Sequence, residues 1–162
     1  MKQKGVVNTS VSRTATKLIA VKPSTTHRDT VIPTADPHLS IQVDAGWYAV
    51  EANLQWDFGA DNALVTWDGG TAVIDGTSIG EESLVLSTDD TTPNLAFTFR
   101  TTFSSSSTNF DVTSFGSGYW SMRGAVKINQ RGTFALKWGG VNGGVTHSLL
   151  AGSSLSLTPI VT

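Results

Sequence analysis

The chain has 162 residues, of which 39% are hydrophobic and 15% are charged; it contains no cysteine and its net charge is −2. This length predicts a single domain, and this balance of apolar and charged residues argues against intrinsic disorder. The absence of cysteine excludes a disulfide framework and thiolate zinc sites, and it leaves the cellular compartment undecided. No apolar run approaches the roughly 20 residues of a membrane span, and the N-terminus lacks the apolar stretch of a signal peptide.

The charges are distributed unevenly along the chain. Residues 1–28 contain six basic residues and no acidic one, whereas residues 29–162 contain five basic and thirteen acidic residues. A basic end on an acidic body indicates an arm that binds a negatively charged surface, and a solvated, partly disordered terminus is the alternative. Within this segment Lys17–Val21 is a candidate short strand. We therefore expect an irregular basic arm over residues 1–28 and a folded domain over residues 29–162.

The clearest strand signals lie between residues 39 and 56. Apolar and polar residues alternate over Leu39–Val43, a turn signal follows at residues 44–46, and the alternation resumes over Tyr48–Trp56. This pattern predicts a β-hairpin with one buried face. The opposite face of the second strand is mixed rather than polar, so we expect a neighbouring subunit to cover part of it. Its residues are Trp47, Ala49, Glu51, Asn53 and Gln55.

The middle of the chain is rich in turn residues and contains several further strand candidates. Glycine, asparagine, aspartate and serine interrupt the extended segments at intervals of roughly 8–12 residues, as in a β-sandwich or barrel. The candidate strands are Leu64–Trp67, Ala72–Ile74, Leu84–Leu86, Leu95–Phe103 and Tyr119–Ile128.

The last forty residues predict a run of short strands separated by glycine. The segments are Ala125–Ile128, Thr133–Trp138, Val145–Leu150 and Leu155–Val161. We expect them to form an antiparallel meander. The whole pattern predicts an all-β protein, a jelly-roll-like antiparallel β-sandwich preceded by the short arm.

The sequence contains fragments of catalytic motifs without their context. His27-Arg28-Asp29 and residues 57–59 match two protein-kinase triplets, but the position that a kinase fills with asparagine is Thr34, and no glycine-rich loop precedes them. There is no G-x-S-x-G nucleophile elbow, and the three histidines lie far apart. The acids between residues 57 and 90 lack the spacing of a calcium-binding loop. We therefore assign no catalytic, cofactor-binding or metal-ligating residue and expect a protein that is not an enzyme.

The aromatic residues permit two interpretations. Six side chains are assigned to the core or to a trimer interface: Trp47, Tyr48, Trp56, Phe134, Leu136 and Trp138. Trp67 precedes a glycine turn, where its ring could stack on a sugar or a partner, so it is a candidate surface-binding residue. Packing in the core or at its rim is the alternative for Trp67.

Four short motifs resemble those of a family of small virion proteins of tailed bacteriophages. They are D-x-x-L at residues 36–39, A-G-x-Y-x-V-E at 45–51, G-T-x-x-L-x-W at 132–138 and L-x-A-G-S-x-L at 149–155. The resemblance covers about residues 16–58 and 120–162 and departs from the family pattern at residues 139–142. It implies a fold similar to tumour-necrosis-factor-like jelly rolls and assembly as trimers. It also implies a role as a capsid decoration (cement) protein or as a head or tail fibre tip.

On this resemblance we expect a homotrimer on the outer capsid surface of the virion, made in the host cytoplasm and bound to the major capsid protein. A receptor-binding tip of a tail or head fibre and a carbohydrate-binding module are the alternatives, with a host-surface glycan as a further candidate partner. No direct contact with nucleic acid or membrane and no cofactor is expected. The residues expected to contact the capsid lie in the arm: Lys4, Val6, Val7, Arg13, Lys17 and Leu18.

Overall fold

A computed structural model describes residues 16–57, 63–75, 79–87, 95–102, 117–140 and 143–160, with the backbone alone at 63, 79–87 and 95–102. These residues form β-strands and contain no helix. The strands are β1 (Leu18–Val21), β2 (Thr26–Arg28), β3 (Thr34–Val43), β4 (Gly46–Asp57), β5 (Ala63–Asp68), β6 (Val73–Ile74), β7 (Ile79–Ser87), β8 (Leu95–Thr102), β9 (Ser117–Gln130), β10 (Gly132–Gly140), β11 (His147–Leu149) and β12 (Ser154–Ile160). Within the described part of the chain no helix could span a membrane.

The strands form two antiparallel sheets. The large sheet has nine strands and runs in the order β1-β12-β4-β9-β7-β8; β11 pairs with β4 and β2 beside this path, and β6 pairs with the end of β9. The small sheet has the order β3-β10-β5. The prediction of an all-β antiparallel sandwich is therefore confirmed, and the jelly-roll connectivity stays a prediction.

One hydrophobic core lies between the two sheets. β4 contributes alternate residues from Tyr48 to Trp56, and β10 contributes Phe134, Leu136 and Trp138 from the other side. Trp56 packs edge to face against Trp120 of β9, with ring centroids 5.4 Å apart. Because these rings are buried on one face of each strand, the opposite face of the large sheet is turned outward. We call that opposite face the outer face.

The predicted hairpin between residues 39 and 56 is wrong in its pairing, although both strands exist. β3 pairs with β10 in the small sheet, whereas β4 pairs with β9 and β12 in the large sheet. The turn at residues 44–46 therefore carries the chain across the sandwich instead of back along the same sheet. Alternation shows that a strand has one buried face, but it does not show which strand lies beside it.

The predicted C-terminal meander is wrong for the same reason. β9 belongs to the large sheet and β10 to the small sheet, while β11 and β12 each pair with β4 and not with each other. The boundary of the predicted arm is also wrong, because residues 18–28 include two strands of the large sheet. β1 pairs with β12 and β2 pairs with β11. Residues 1–15 lie outside the described residues.

The crossing between the sheets after β9 depends on Gly132. A Cβ atom added there would lie 2.3 Å from the backbone nitrogen of Ala72 and 2.3 Å from the carbonyl carbon of Thr71. Backbone atoms of a neighbouring segment cannot move aside as a flexible side chain can. We therefore expect Gly132→Ala to lower the free energy of unfolding by about 1–3 kcal/mol.

Gly143→Ala is the matched control, because the nearest heavy atom to its added Cβ would be Cγ1 of Val31, 4.0 Å away. Its effect should stay within about 0.5 kcal/mol, as at most surface positions. Urea unfolding of both variants measures the difference. Equal stability of the two variants would show that the crossing adjusts without cost.

Candidate functional site

The N-terminal strand β1 is the terminal strand of the large sheet. Leu18 and Ala20 pack against the core, and the alternate residues Ile19 and Val21 are exposed by 60% and 57%. A terminal strand has unpaired backbone groups along one side, and exposed aliphatic side chains make such an edge a place where another chain can pair. β1 thus packs against the core with one face, and on its other face Ile19 and Val21 are exposed.

A buried ion pair holds the end of β1 to the start of β3. Nζ of Lys22 lies 2.7 Å from Oδ2 of Asp36, and both side chains have 0% exposure. The Lys22 ammonium also donates to the hydroxyl of Thr26. On the main chain, the N–H of Lys22 donates to the carbonyl of Ser153, and its carbonyl accepts from the N–H of Gly152. Lys22 therefore ties the N-terminal segment to the β11–β12 loop as well as to β3.

The carboxylate of Asp36 receives hydrogen bonds on both oxygens. The indole N–H of Trp138 donates to Oδ2 at 2.9 Å, and the backbone N–H groups of His38 and Leu39 donate to Oδ1 at 2.9 and 3.3 Å. Burial by itself raises the pKa of Asp36, but the hydrogen bonds from Lys22, Trp138 and His38 outweigh burial, and the pKa lies below its ordinary value. Asp36 is therefore charged, both of its oxygens accept hydrogen bonds, and its role is structural. We call Lys22, Thr26, Asp36 and Trp138 the clasp.

Arg28 packs against Trp138 of the clasp. Its guanidinium lies over the ring of Trp138, 4.2 Å from the centroid, and donates to the carbonyls of Thr34, Ala35 and Trp138. Burial lowers the pKa of Arg28 and the nearby Asp36 charge raises it, with a net decrease. A guanidinium with three carbonyl acceptors and an aromatic face is positioned for structure. The basic residues at 22 and 28 therefore fix the chain to the body.

The outer face carries an exposed charge network. The carboxylate of Glu51 on β4 lies 3.5 Å from Nζ of Lys17 and 3.4 Å from the guanidinium of Arg123 on β9. Beside it a shallow groove of about 390 Å³ is lined by Ala49, Val50, Glu51, Arg123, Gly124, Ser156 and Thr158. Because the ion pairs are partly exposed, they contribute only about 0–1 kcal/mol each to stability. Their effect is to set the polarity of this face.

The predicted arm contacts fall into two groups. Lys4, Val6, Val7 and Arg13 lie outside the described residues. Lys17 and Leu18 are described: Lys17 forms its ion pair with Glu51, and Leu18 packs on the core of the same chain. Leu18 is therefore committed to the domain itself, which is a correction to its predicted role in an arm.

The residues assigned to the core or a trimer interface also fall into two groups. Five of them are buried within the chain: Tyr48, Trp56, Phe134, Leu136 and Trp138. Trp47 is half-buried on the outer face, next to the exposed Ile160 of β12. Trp47 is thus the one member of this set that points to an interface between chains.

Trp67 does not fit its predicted role as a surface-binding residue. Its side chain has 0% exposure, and its ring packs against Phe134 with centroids 5.8 Å apart. The position before a glycine turn suggested exposure, but β5 extends to Asp68 and carries the ring into the core. Trp67 packs in the core, as the alternative interpretation expects.

The clasp is the group that sequence reasoning missed. Lys22 and Arg28 were assigned to a basic arm because lysine and arginine are almost never fully buried unless they are paired. The D-x-x-L motif at residues 36–39 contained a signal for part of it. An aspartate side chain often accepts hydrogen bonds from the backbone N–H groups two and three residues later, which forms a recurrent type of turn.

Among the described residues, no group of three or more histidine, aspartate or glutamate side chains could hold a metal ion.

Comparison of the sequence with models of protein families and with curated proteins found no match.

The clasp predicts a large cost for removing one of its charges. Lys22→Met leaves the buried Asp36 carboxylate without its cation, and we expect it to lower the free energy of unfolding by about 3–5 kcal/mol. Arg131→Met is the matched control, because Arg131 pairs with Asp44 at 3.3 Å where both side chains are largely exposed. Its cost should be at most about 1 kcal/mol. Urea unfolding at neutral pH measures both, and equal small losses would contradict the structural role of the clasp.

The acid sensitivity of the protein should depend on Asp36. Because the folded-state pKa is below the unfolded value of about 3.9, the stabilisation from Asp36 is fully present above that value and is lost as pH falls through the folded pKa. We expect the wild-type free energy of unfolding to fall between about pH 5 and pH 2, and Asp36→Asn to reduce that fall. Asp44→Asn, which removes a carboxylate from the exposed pair, is the matched control for the substitution itself. A wild-type slope in Asp36→Asn would assign the acid sensitivity to other carboxylates.

Proposed function

We propose that the protein is a non-enzymatic structural protein of a tailed-bacteriophage virion, a homotrimeric decoration (cement) protein on the outer surface of the head. Three of the motifs that carry the resemblance supply two clasp residues, Asp36 and Trp138, and the Gly152-Ser153 pair that bonds to the main chain of Lys22. The resemblance thus involves residues that build the domain, which supports a shared architecture.

The observation that carries the proposal is β1, the terminal strand of the large sheet among the described residues, with its two exposed aliphatic side chains. Ile19 and Val21 lie exposed on it, and residues 1–15 directly precede it. The three side-chain bases of that segment and the absence of acids give it a positive charge. A strand of the major capsid protein could pair with this edge, since main-chain hydrogen bonds give affinity and the alternate side chains give specificity. The basic segment would steer the approach to an acidic capsid surface.

Self-association is supported by a second apolar region. Trp47 lies opposite Ile160 across the β4–β12 pair, at the other end of the outer face from Asp57. An exposed aliphatic side chain beside a half-buried tryptophan is apolar surface that a second copy would cover. Closed cyclic symmetry is the common way in which identical chains cover such a surface, and the resemblance indicates three copies.

Binding of this kind would stabilise the head by mass action. A protein that binds only the intact shell shifts the equilibrium away from the disrupted shell by RT ln(1 + [L]/Kd). Many copies, each contributing a small free energy, would oppose the internal pressure of packaged DNA. No catalytic group is needed for this activity.

The test is occupancy of capsids that lack the protein. Lysine on an edge strand disfavours pairing, so we expect the double variant Ile19→Lys/Val21→Lys to lose most of its capsid binding, measured by co-sedimentation and cryo-EM. Val73→Lys is the matched control, because Val73 is also exposed but lies on β6. The control should bind like the wild type.

Light scattering measures the mass of both variants and is the control for assembly. We expect each variant to have three times the 17.1 kDa mass of a single chain. Full capsid occupancy by the double variant would remove β1 as the contact. A clean monomer at micromolar concentration would contradict the trimer. Density at the tail instead of the head would replace decoration by a receptor-binding role.

A further inference from the structure

Tyr119 of β9 differs from the other large aromatic side chains that the structure describes. Trp56, Trp67, Trp120 and Trp138 are buried, whereas Tyr119 is 47% exposed on the outer face. The amide nitrogen of Gln55 on the neighbouring strand donates to its hydroxyl at 3.0 Å. The ring is therefore held at a defined position on two fully paired strands, with a large part of its surface open to solvent.

The side chains beside Tyr119 on β9 and β4 are polar, whereas on the other side of β9 the register places Leu86 of β7 opposite Tyr119. Ser117 and Ser121 flank it on β9, and Asn53 and Asp57 lie diagonally across on β4, all of them half-buried or exposed. The hydroxyl of Ser117 donates to Oδ1 of Asp57 at 3.2 Å. Since Leu54, Trp56 and Trp120, which alternate with them, are in the core, these side chains share the face of Tyr119. Together with Gln55 they line the β4 side of the aromatic ring with two amides, two hydroxyls and a carboxylate.

This combination matches the surface of a sugar. The ring C–H groups of a pyranose fit the electron-rich face of an aromatic ring, and its hydroxyls both donate and accept hydrogen bonds, as amides and carboxylates require. A nucleic acid would require a basic surface, and Asp57 lies within this group. We propose that the outer face, centred on Tyr119, binds an oligosaccharide.

The same face continues beyond the Tyr119 position. Four residues along β4 from Gln55, or about 14 Å at the rise of an antiparallel strand, lies Glu51 in the groove that also contains Arg123, Ser156 and Thr158. The groove volume of about 390 Å³ is within the range of small-ligand sites. The ligand is therefore an extended chain of several sugars, with one ring on Tyr119 and further rings towards Glu51. Such binding does not depend on the proposed decoration role.

The test uses the purified full chain on an array of hexose, N-acetylhexosamine and uronic-acid oligomers. Bound classes are then titrated by calorimetry as the soluble hexamers, such as cellohexaose, maltohexaose and the N-acetylglucosamine hexamer. We expect at least one class to bind, and the longer oligomers to bind more tightly than the corresponding monosaccharide. Binding to no oligomer at millimolar concentration would overturn the proposal, and so would equal affinity for monomer and hexamer.

Variants separate stacking on Tyr119 from other causes. Tyr119→Ala should weaken binding by about tenfold or more, while Tyr119→Phe, which keeps the ring, should stay within about threefold of the wild type. Asn53→Ala gives a second reduction that does not involve the ring. Ile32→Ala, at an exposed loop position away from β4 and β9, should leave binding unchanged. Far-UV circular dichroism and thermal unfolding confirm that each variant is folded. Wild-type affinity in Tyr119→Ala would overturn the proposal.

Discussion

The ion pair between Lys22 and Asp36 is the constraint on which the arrangement of the termini depends. Two charges with 0% exposure are stable only when each has close partners, because removing an unpaired ion from water costs several kcal/mol. Lys22 follows a strand of the large sheet, whereas Asp36 and Trp138 belong to the small sheet. The pair therefore specifies how the two sheets meet, and it fixes the chain next to the β11–β12 loop through Gly152 and Ser153.

This constraint gives the motifs a physical meaning. Asp36 is the first residue of D-x-x-L, and Leu39, its last residue, is both a hydrogen-bond donor to Asp36 and a core residue. Trp138 ends G-T-x-x-L-x-W and donates to the same carboxylate. Gly152, with φ of 89°, adopts a left-handed conformation that L side chains rarely reach, and its N–H bonds to Lys22. Two motifs far apart in sequence thus meet at the Asp36 carboxylate, and a third is joined to the main chain of Lys22.

The sequence predicted the strands well and their partners poorly, for a physical reason. Alternation at Tyr48–Trp56 and Phe134–Trp138 reports burial of one face, and the structure buries those faces. Pairing depends on the direction in which a turn sends the chain, and residues 44–46 and Gly132 send it to the opposite sheet. Lys22 and Arg28 were placed on an exposed arm because charge usually indicates exposure, and only the tertiary partners Asp36 and Trp138 reverse that expectation. Tyr119 was not singled out, because a tyrosine at strand spacing has the same signature whether its face is covered or open.

In this fold the residues that stabilise the domain differ from those on the outer face that are open to recognition. The inner faces and the clasp hold the domain with buried groups, so the outer face is free to carry side chains that contribute little to folding. On that face the Trp47 and Gln55 positions of β4 are eight residues, or about 27 Å, apart along one strand. The Trp47 region and the platform at Tyr119 are therefore separate positions on this face, with Glu51 midway between them along β4. In register, Ile19 of β1 lies beside Ser156 of β12, and Ser156 lies beside Glu51 of β4, so the exposed side chains of β1 belong to the same outer face as the platform. The sheet therefore carries its exposed aliphatic residues and its exposed tyrosine on one face, with β12 and β4 between them.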